Sequence, residues 1–540
     1  MKSRTADYSP WVPLQYPVFR MLWFATLVSN IGTFMNDVGA AWLMTSLSSD
    51  PFIVALVQVT TASSLFLLAL PAGALADIVD RRRYLLVLQT IMMCIAGVLT
   101  FVTYFDLVTP QILLLLTFCL GATAALSAPS WQATIPELVP AKALMGAISL
   151  NSVSSGVSRS VGPAIAGVII IYAGSAAVFA INTLSFLGII ISLLLWHRQR
   201  EESTLPAERF ASAVSTGIRY VYASPVLHNV LIRVAAFMFF ASVIWALLPL
   251  VARVTLERSA AGYGSLFTLF GVGAVVGTVF SQRINAKFSS DQLIQIGFII
   301  FAIGTLILSL TKDYYIACFA MILTGFSWMI VSSILITAAQ QAIPSWIRGR
   351  ALSIYLMVQY GSMAVGSMVW GLFATHFSIS WALFIASIGL IVSTFATQIY
   401  SLEKIKNIDH TPSPSDLHAP ISLEELDNEQ GPIMVSVEYR ISLDELPAFI
   451  KVMRKMRRIR LREGAFFWKL FKDAEIPGRY IEYFMSESWV EHLRLNEHVS
   501  VSDVKVQERA ALFHLGKKPP RVTYFAACDV SKKRPSRWTF

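Results

Sequence analysis

The chain has 540 residues, 55% of them apolar and only 14% charged, with a mean hydropathy of +0.61. A single soluble core cannot absorb that apolar excess, whereas about a dozen membrane spans of roughly 20 residues can. The net charge of +10 does not indicate nucleic acid, because the cations lie in short loops between apolar runs and near the C-terminus.

A polar tail, residues 1–18, carries Lys2 and Arg4 and leads into a span too long for a signal peptide, so this span is expected to be retained. Apolar runs follow near 19–46, 52–76, 84–105, 110–131, 146–172 and 176–196, then near 226–251, 262–282, 291–311, 314–339, 351–374 and 380–400. These twelve runs predict two six-helix bundles, 19–197 and 226–401, joined by a central loop at 198–225. Loops on one side hold Arg81, Arg82, Arg83, Lys142, Arg198, Arg200, Arg283, Lys287, Arg348 and Arg350, while the other side has Arg253, Arg258 and Lys312. The positive-inside rule then puts both termini on the cytoplasmic side. Cys94, Cys119 and Cys318 fall inside apolar runs and no CxxC pair occurs, which argues against a disulfide framework or a zinc site.

The halves resemble one another. Gln132 to Pro136 (QATIP) matches Gln341 to Pro344 (QAIP), Lys142-Ala143-Leu144 matches Arg350-Ala351-Leu352, and Gly162 and Gly167 recur as Gly366 and Gly371. Transporters built from such repeats place the substrate path between the halves, near mid-membrane.

Residues 402–432 read as a solvated linker, 433–527 as a small soluble domain and 528–540 as a basic tail. Strand alternation at Val435 to Tyr439, a capping box at Ser442 and Glu445, a helix over 443–463, strands near 465–473 and 479–487, a helical stretch to about 514 and a strand at 521–527 give the order β-α-β-β-α-β. That is the ferredoxin-like pattern, whose paired form is a dimeric α/β barrel, so homodimerisation through this domain is an expected partnership. Its first helix is strongly basic, with Lys451, Arg454, Lys455, Arg457, Arg458, Arg460 and Arg462. Attraction to anionic lipid and a plain solvated face both account for this charge.

Two ionisable residues stand inside spans. Asp37 lies in the first, beside Asn36, where an ionised carboxylate costs about 3 kcal/mol unless it is protonated, paired or facing water. It is therefore a candidate for proton exchange, with polar packing near the outer interface as the alternative. Arg159 lies in the fifth span at a depth comparable with Asp37, its natural counter-ion; carbonyls freed at a Pro163 kink are the other candidates. Asn36, Gln58, Trp131, Trp245, Trp328, Tyr355 and Gln359 are candidates for an aromatic cavity suited to a bulky amphiphilic or aromatic solute.

Gly73 to Arg83 (GALADIVDRRR) resembles the cytoplasmic-loop signature of the major facilitator superfamily, G-x-L-x-D-R-x-G-R-[RK]. Gly73, Asp77, Arg81, Arg82 and Arg83 match a gate latch, while Ile78 stands where Arg is usual and Asp80 where Gly is usual. Gly156, Gly162, Pro163 and Gly167 resemble that superfamily's antiporter motif, with Ala166 in place of one Gly. The resemblance implies an exporter sealed against proton leak. The expected partner of this stretch is the eighth span, through Gly271, Gly273 and Gly277.

With GPIMVSVEYR from Gly431, RRIRLREGAF from Arg457 and ESWVEHLR from Glu487, the whole chain is similar to the enterobactin-exporter-like, transmembrane secretion effector branch of that superfamily. The resemblance implies a major facilitator fold of twelve transmembrane helices and a secondary active transporter rather than an enzyme. Its expected work is proton-coupled export of a small siderophore-like or drug-like molecule, driven by the proton gradient with no cofactor and no metal. An alternative makes the soluble domain a monooxygenase-like enzyme or a ligand sensor, with Trp468, His492 and His498 as its residues; His492 and His498 are six apart, a spacing that does not align two metal ligands on a helix.

Overall fold

The computed structural model describes residues 11–196, 220–222, 224–285, 288–344, 347–402, 431–489, 492, 501–516 and 518–527. Most of the central loop and of the linker, His498 and the basic tail lie outside these residues. Eleven helices among the described residues are long and apolar enough to cross a membrane. They make twelve spans, because Leu144–Leu195 is interrupted at Gly174, where φ 76 and ψ 173 turn the chain back. Unbroken, those 52 residues would run about 78 Å, more than twice the hydrocarbon thickness. Glycine meets no steric penalty at that positive φ.

The spans are α1 Pro17–Leu47, α2 Pro51–Ile78, α3 Arg81–Tyr104, α4 Pro110–Leu138, α5 (144–173), α6 (175–195), α7 Pro225–Leu250, α8 Ala260–Asn285, α9 Ser290–Leu310, α10 Tyr314–Ala342, α11 Arg348–His376 and α12 Ile379–Ala396. Their starts follow from local chemistry. Pro17, Pro51 and Pro110 occupy first turns, where a missing N–H costs nothing. Asp50, Asp80, Thr109 and Ser378 accept from the backbone N–H groups of Phe52, Arg83, Ile112 and Trp381, and Ser289 with Gln292 closes a capping box on α9. Twelve crossings return the chain to the face where α1 begins, termed the near face below; the other is the far face.

The repeat read from the sequence is a repeat of contacts. In α5, Gly162 lies against Phe34 and Ile31 of α1 and Gly167 against Ala260 of α8. In α11, Gly366 lies against Phe239 of α7 and Gly371 against Phe52 and Ala55 of α2. Helices one and seven correspond in the two halves, as do two and eight, so each glycine pair makes one contact within its half and one across to the other. The near-face ends are tied by the same elements with opposite charge. Arg82 at the start of α3 donates to the carbonyls of Leu193 and Leu194 at the end of α6, at 2.8 and 2.7 Å. Asp291 at the start of α9 instead accepts from Ser401 Oγ and the Leu402 N–H beyond α12, and from the buried Arg233 of α7 at 2.6 Å. A guanidinium caps carbonyls; a carboxylate caps an amide and needs its own cation.

The chain divides into two compact units, and the C-terminal domain expected to be soluble belongs to the second, which gathers Ala211–His228, Gln341–Ala351 and Lys404–Phe540. Its elements are β1 Ile433–Arg440, α13 Leu446–Glu463, β2 Phe467–Lys472, β3 Arg479–Ser486, α14 Val501–Ala511 and β4 Arg521–Ala526. The strands form one antiparallel sheet in the order β2-β3-β1-β4. Alternate residues of β1 and β3, including Val435, Val437, Tyr439, Tyr480 and Phe484, bury one face and share a core with Phe449, Met453 and Met456 of α13. The expected capping box does not form. A short turn, Leu443–Glu445, delays the helix to Leu446, and the Ser442 side chain makes no cap.

Candidate functional site

Asp37 lies nine residues beyond the exposed Val28 of α1, about 180° around the helix from the face that Val28 turns outward. It is itself exposed, while its neighbours Asn36 and Val38 are 4% and 2% exposed. That exposure therefore opens toward the bundle interior and not toward lipid. Across the interface, Tyr263 of α8 is near enough to feel the Asp37 charge, and it stacks on Trp42 of α1 with ring centroids 6.1 Å apart.

Arg159 and Asp37 are not brought together. Ser158 donates to the Leu27 carbonyl and Gly162 abuts Ile31 and Phe34, so this part of α5 lies beside residues 27–34 of α1. Asp37 is roughly two turns farther toward the far face. The depths differ because Asp37 lies 20 residues into α1 and Arg159 only 15 into α5, while α5 begins about a turn nearer the near face than α1. Arg159 instead has its guanidinium carbon 5.7 Å from the Phe34 ring centroid and is near enough to Tyr360 of α11 for their charges to interact. Asp37 and Arg159 thus each lie within electrostatic range of a tyrosine of the second half.

Hydrogen bonds join the halves at the far face. A π-turn, Val251–Thr255, closed by Leu256 N–H on the Val251 carbonyl, aims Arg253 at the end of α1. There Arg253 donates to Thr45 Oγ1 and Ser46 Oγ at 2.9 and 2.8 Å and lies 5.5 Å from the Trp42 ring. Thr375 of α11 donates to Asp50 at the start of α2. From the sequence the outer cations form only a sparse loop charge, and nothing there marks Arg253 as a strap. Hydrogen bonds from a charged donor and a cation–π contact at an exposed site together contribute about 1–2 kcal/mol. Arg253→Gln is therefore expected to raise the far-face-open population about tenfold, read as a longer distance between spin labels at Ser49 and Glu257. An unchanged distance distribution would show that Arg253 does not hold the face shut.

At the near face, Arg81 donates to Glu137 at the end of α4 and to the Ala133 carbonyl, Arg82 caps α6 and Arg83 is exposed. Gly73 faces Ser353 of α11, 3.6 Å from the position of an added Cβ. The side chain of Asp77 lies outside the described positions. Asp80, which replaces the usual glycine, is the N-cap of α3. Glu137 was missed, although it directly follows the repeated QATIP stretch.

Among the expected cavity residues, Trp131 packs with Leu22, Leu85, Ile189 and Leu193, a helix-packing position. Trp328 is 8% exposed within a cluster of Phe237, Phe270, Phe301 and Trp245, so it forms core of the second half rather than open wall. Tyr355 is buried too, whereas Trp245, Gln58 and Gln359 keep part of their surface. Asn36 is buried with its Oδ1 lacking a partner, next to Asp37. On α5, Gly156 and Gly167 do face α8, and Gly271 meets Ser160. Gly273 and Gly277 do not take part; they turn to Ile322 and Phe326 of α10, and Gly264, absent from the expectation, meets Pro163 and Gly167 instead.

In the soluble domain, Glu482 is fully buried and accepts from Trp468 Nε1, Tyr439 Oη and Arg460 Nε at 2.8, 3.2 and 3.3 Å. Arg462 pairs with Asp503, and His492 stacks on Trp489. Among the described residues no group of His, Cys, Asp and Glu is arranged to hold a metal ion. Glu463, 6% exposed and 4.0 Å from Arg460, keeps one oxygen without a partner, and burial pushes its carboxyl up to about 7. The folded domain then holds a proton that the unfolded chain releases near 4.5, so stability falls as pH rises from about 4.5 to 7 and stays lower above. Glu463→Gln is expected to remove that loss, stabilising the domain at pH 8 by up to about 3 kcal/mol and by little at pH 5. Hydrogen exchange of β1 and β3 at the two pH values measures it; equal stability at pH 8 would contradict the assignment.

Residues 8–532 match the transmembrane secretion effector family. The chain belongs to that family. It is 21% identical over 351 residues to the staphyloferrin A transporter of Staphylococcus aureus, covering 65% of this chain and 87% of that relative. It is 23% identical over 364 residues to the enterobactin exporter EntS of Shigella boydii, covering 66% and 85%. A POT family transporter solved with 5-aminolevulinic acid superposes with a TM-score of 0.60 at 11% identity, over 72% of this chain and 96% of that one. A bacterial homologue of the human lysosomal transporter Spinster, inward-facing and unoccupied, gives 0.54 at 15% identity, over 71% and 94%. These likenesses fix the fold of the membrane part of this secretion effector: a multi-pass membrane protein with the architecture of a transporter.

Proposed function

We propose that the protein is a proton-coupled exporter that moves a small amphiphilic or aromatic compound, of siderophore type, out of the bacterial cytoplasm across the inner membrane. The observation that carries this reading is Asp37, a carboxylate inside a span that faces the bundle interior, within electrostatic range of Tyr263 of the other half. Relatives named for staphyloferrin A transport and enterobactin export support the class of cargo. Half-exposed Trp245 and Gln359 suit an aromatic ring bearing hydroxyl groups. The basic near-face loops support cytoplasmic termini. The soluble domain, with its β-α-β-β-α-β order, reads as ferredoxin-like, and the exposed Phe467, Phe471 and Phe525 on the sheet face away from α13 support pairing with a second copy. The proton gradient is the energy source, with no cofactor.

The test is transport by reconstituted protein in vesicles carrying an imposed pH difference, with a catecholate siderophore, a hydroxycarboxylate siderophore and a cationic dye as solutes. Accumulation of one of them that collapses with a protonophore is the expected result. No pH-dependent movement of any would overturn proton-coupled export.

A further inference from the structure

We propose that the outward face of α13 rests on an anionic phospholipid surface. At 100° per residue the helix divides cleanly. Phe449, Met453, Met456, Ile459, Arg460 and Glu463 are buried, whereas Lys451, Arg454, Lys455, Arg457 and Arg458 are exposed and fall within an arc of about 160°. The one acid of α13, Glu463, points inward, so nothing on the helix neutralises the arc.

Position within the second compact unit says what covers it. Arg462, which falls within the same arc between Lys451 and Lys455, is held by Asp503 and lies near enough to Tyr220 for their charges to interact. Tyr220 stands five residues before Pro225, the first residue of α7, and its hydroxyl donates to the carbonyl of Ala342, the last residue of α10, at 2.9 Å. The basic arc therefore lies on the side of that unit where two apolar helices begin and end, which is the level of lipid headgroups. Three guanidinium and two ammonium groups fit phosphodiesters there, and each contributes about a fivefold gain in attachment to an anionic leaflet. This inference does not depend on the identity of the cargo or on proton coupling.

The experiment compares hydrogen exchange over residues 446–463 of the full chain in nanodiscs of phosphatidylcholine alone and of phosphatidylcholine mixed with phosphatidylglycerol, with β1 and β3 as fold controls. Slowing of α13 exchange by about tenfold or more with phosphatidylglycerol, reversed by high salt, is expected. The quintuple Gln variant K451Q/R454Q/K455Q/R457Q/R458Q should lose it with β1 and β3 unchanged; should those strands loosen, the milder K455Q/R458Q variant serves, with a partial loss expected. Equal exchange in the two lipids, slowing that survives the substitutions, or slowing only when an acidic protein or RNA is added would overturn the proposal.

Discussion

Replacing Asp37 by Asn is expected to abolish efflux driven by a pH difference while leaving substrate binding measurable. Asparagine keeps the shape and the hydrogen-bonding edge of the side chain but cannot exchange a proton. For one proton exchanged against one neutral solute, 100 mV and one pH unit sum to about 3.7 kcal/mol, a gradient of a few hundredfold. The variant should bring that ratio to near unity, and Asp37→Glu should recover part of it. Parallel measurements of vesicle accumulation and of binding by tryptophan quenching distinguish lost coupling from lost recognition. Full accumulation by Asp37→Asn would remove this carboxylate from the mechanism, whereas loss of binding as well would place it in the substrate site.

Asp37 was legible from the sequence because a bilayer makes any ionisable residue conspicuous. The same reasoning should have singled out Arg233, buried in α7 at 1% exposure, and with it Asp291, which closes the end of the second half. Span number was legible through apolar run length, and the Gly162, Gly167, Gly366, Gly371 repeat carried the architecture itself, because close helix approach needs glycine at those crossings. Axial register was not. A helix repeats every turn, so sequence places Asp37 and Arg159 on their helices without setting how far α1 slides against α5, and the expected ion pair does not form. Facing was likewise only half legible: α8 carries small residues on two sides, and Gly264 and Gly271 turn to α5 while Gly273 and Gly277 turn to α10. In the soluble domain the strands were legible from strict alternation, whereas the buried set of Arg460, Glu463, Glu482 and Asp503 was not, since basic residues along α13 differ in burial only by their place on the wheel.

The two sides of α8 make the second large prediction. A Cβ at Gly264 would strike the Pro163 carbonyl oxygen, with the Gly167 backbone only 3.1 and 3.3 Å away, and these backbone atoms cannot rotate aside as a side chain could. Helices α5 and α8 must then separate. This crossing joins the two halves toward the far face, so the cost, about 2 kcal/mol for overpacking, falls on the closed state and hardly on the open one. Gly264→Val is expected to shift that equilibrium about thirtyfold and cut export to a few per cent, with the far face open by the Ser49 and Glu257 label distance and thermal stability little changed. Gly325→Val supplies the contrast. Its Cβ would strike the Phe270 carbonyl inside the second half, where α8 packs on α10 and not across the halves, so it should lower stability and yield without opening the far face. If Gly264→Val transports normally, or loses stability as Gly325→Val does, the α5–α8 crossing is a fixed seam, and alternation between faces must hinge elsewhere.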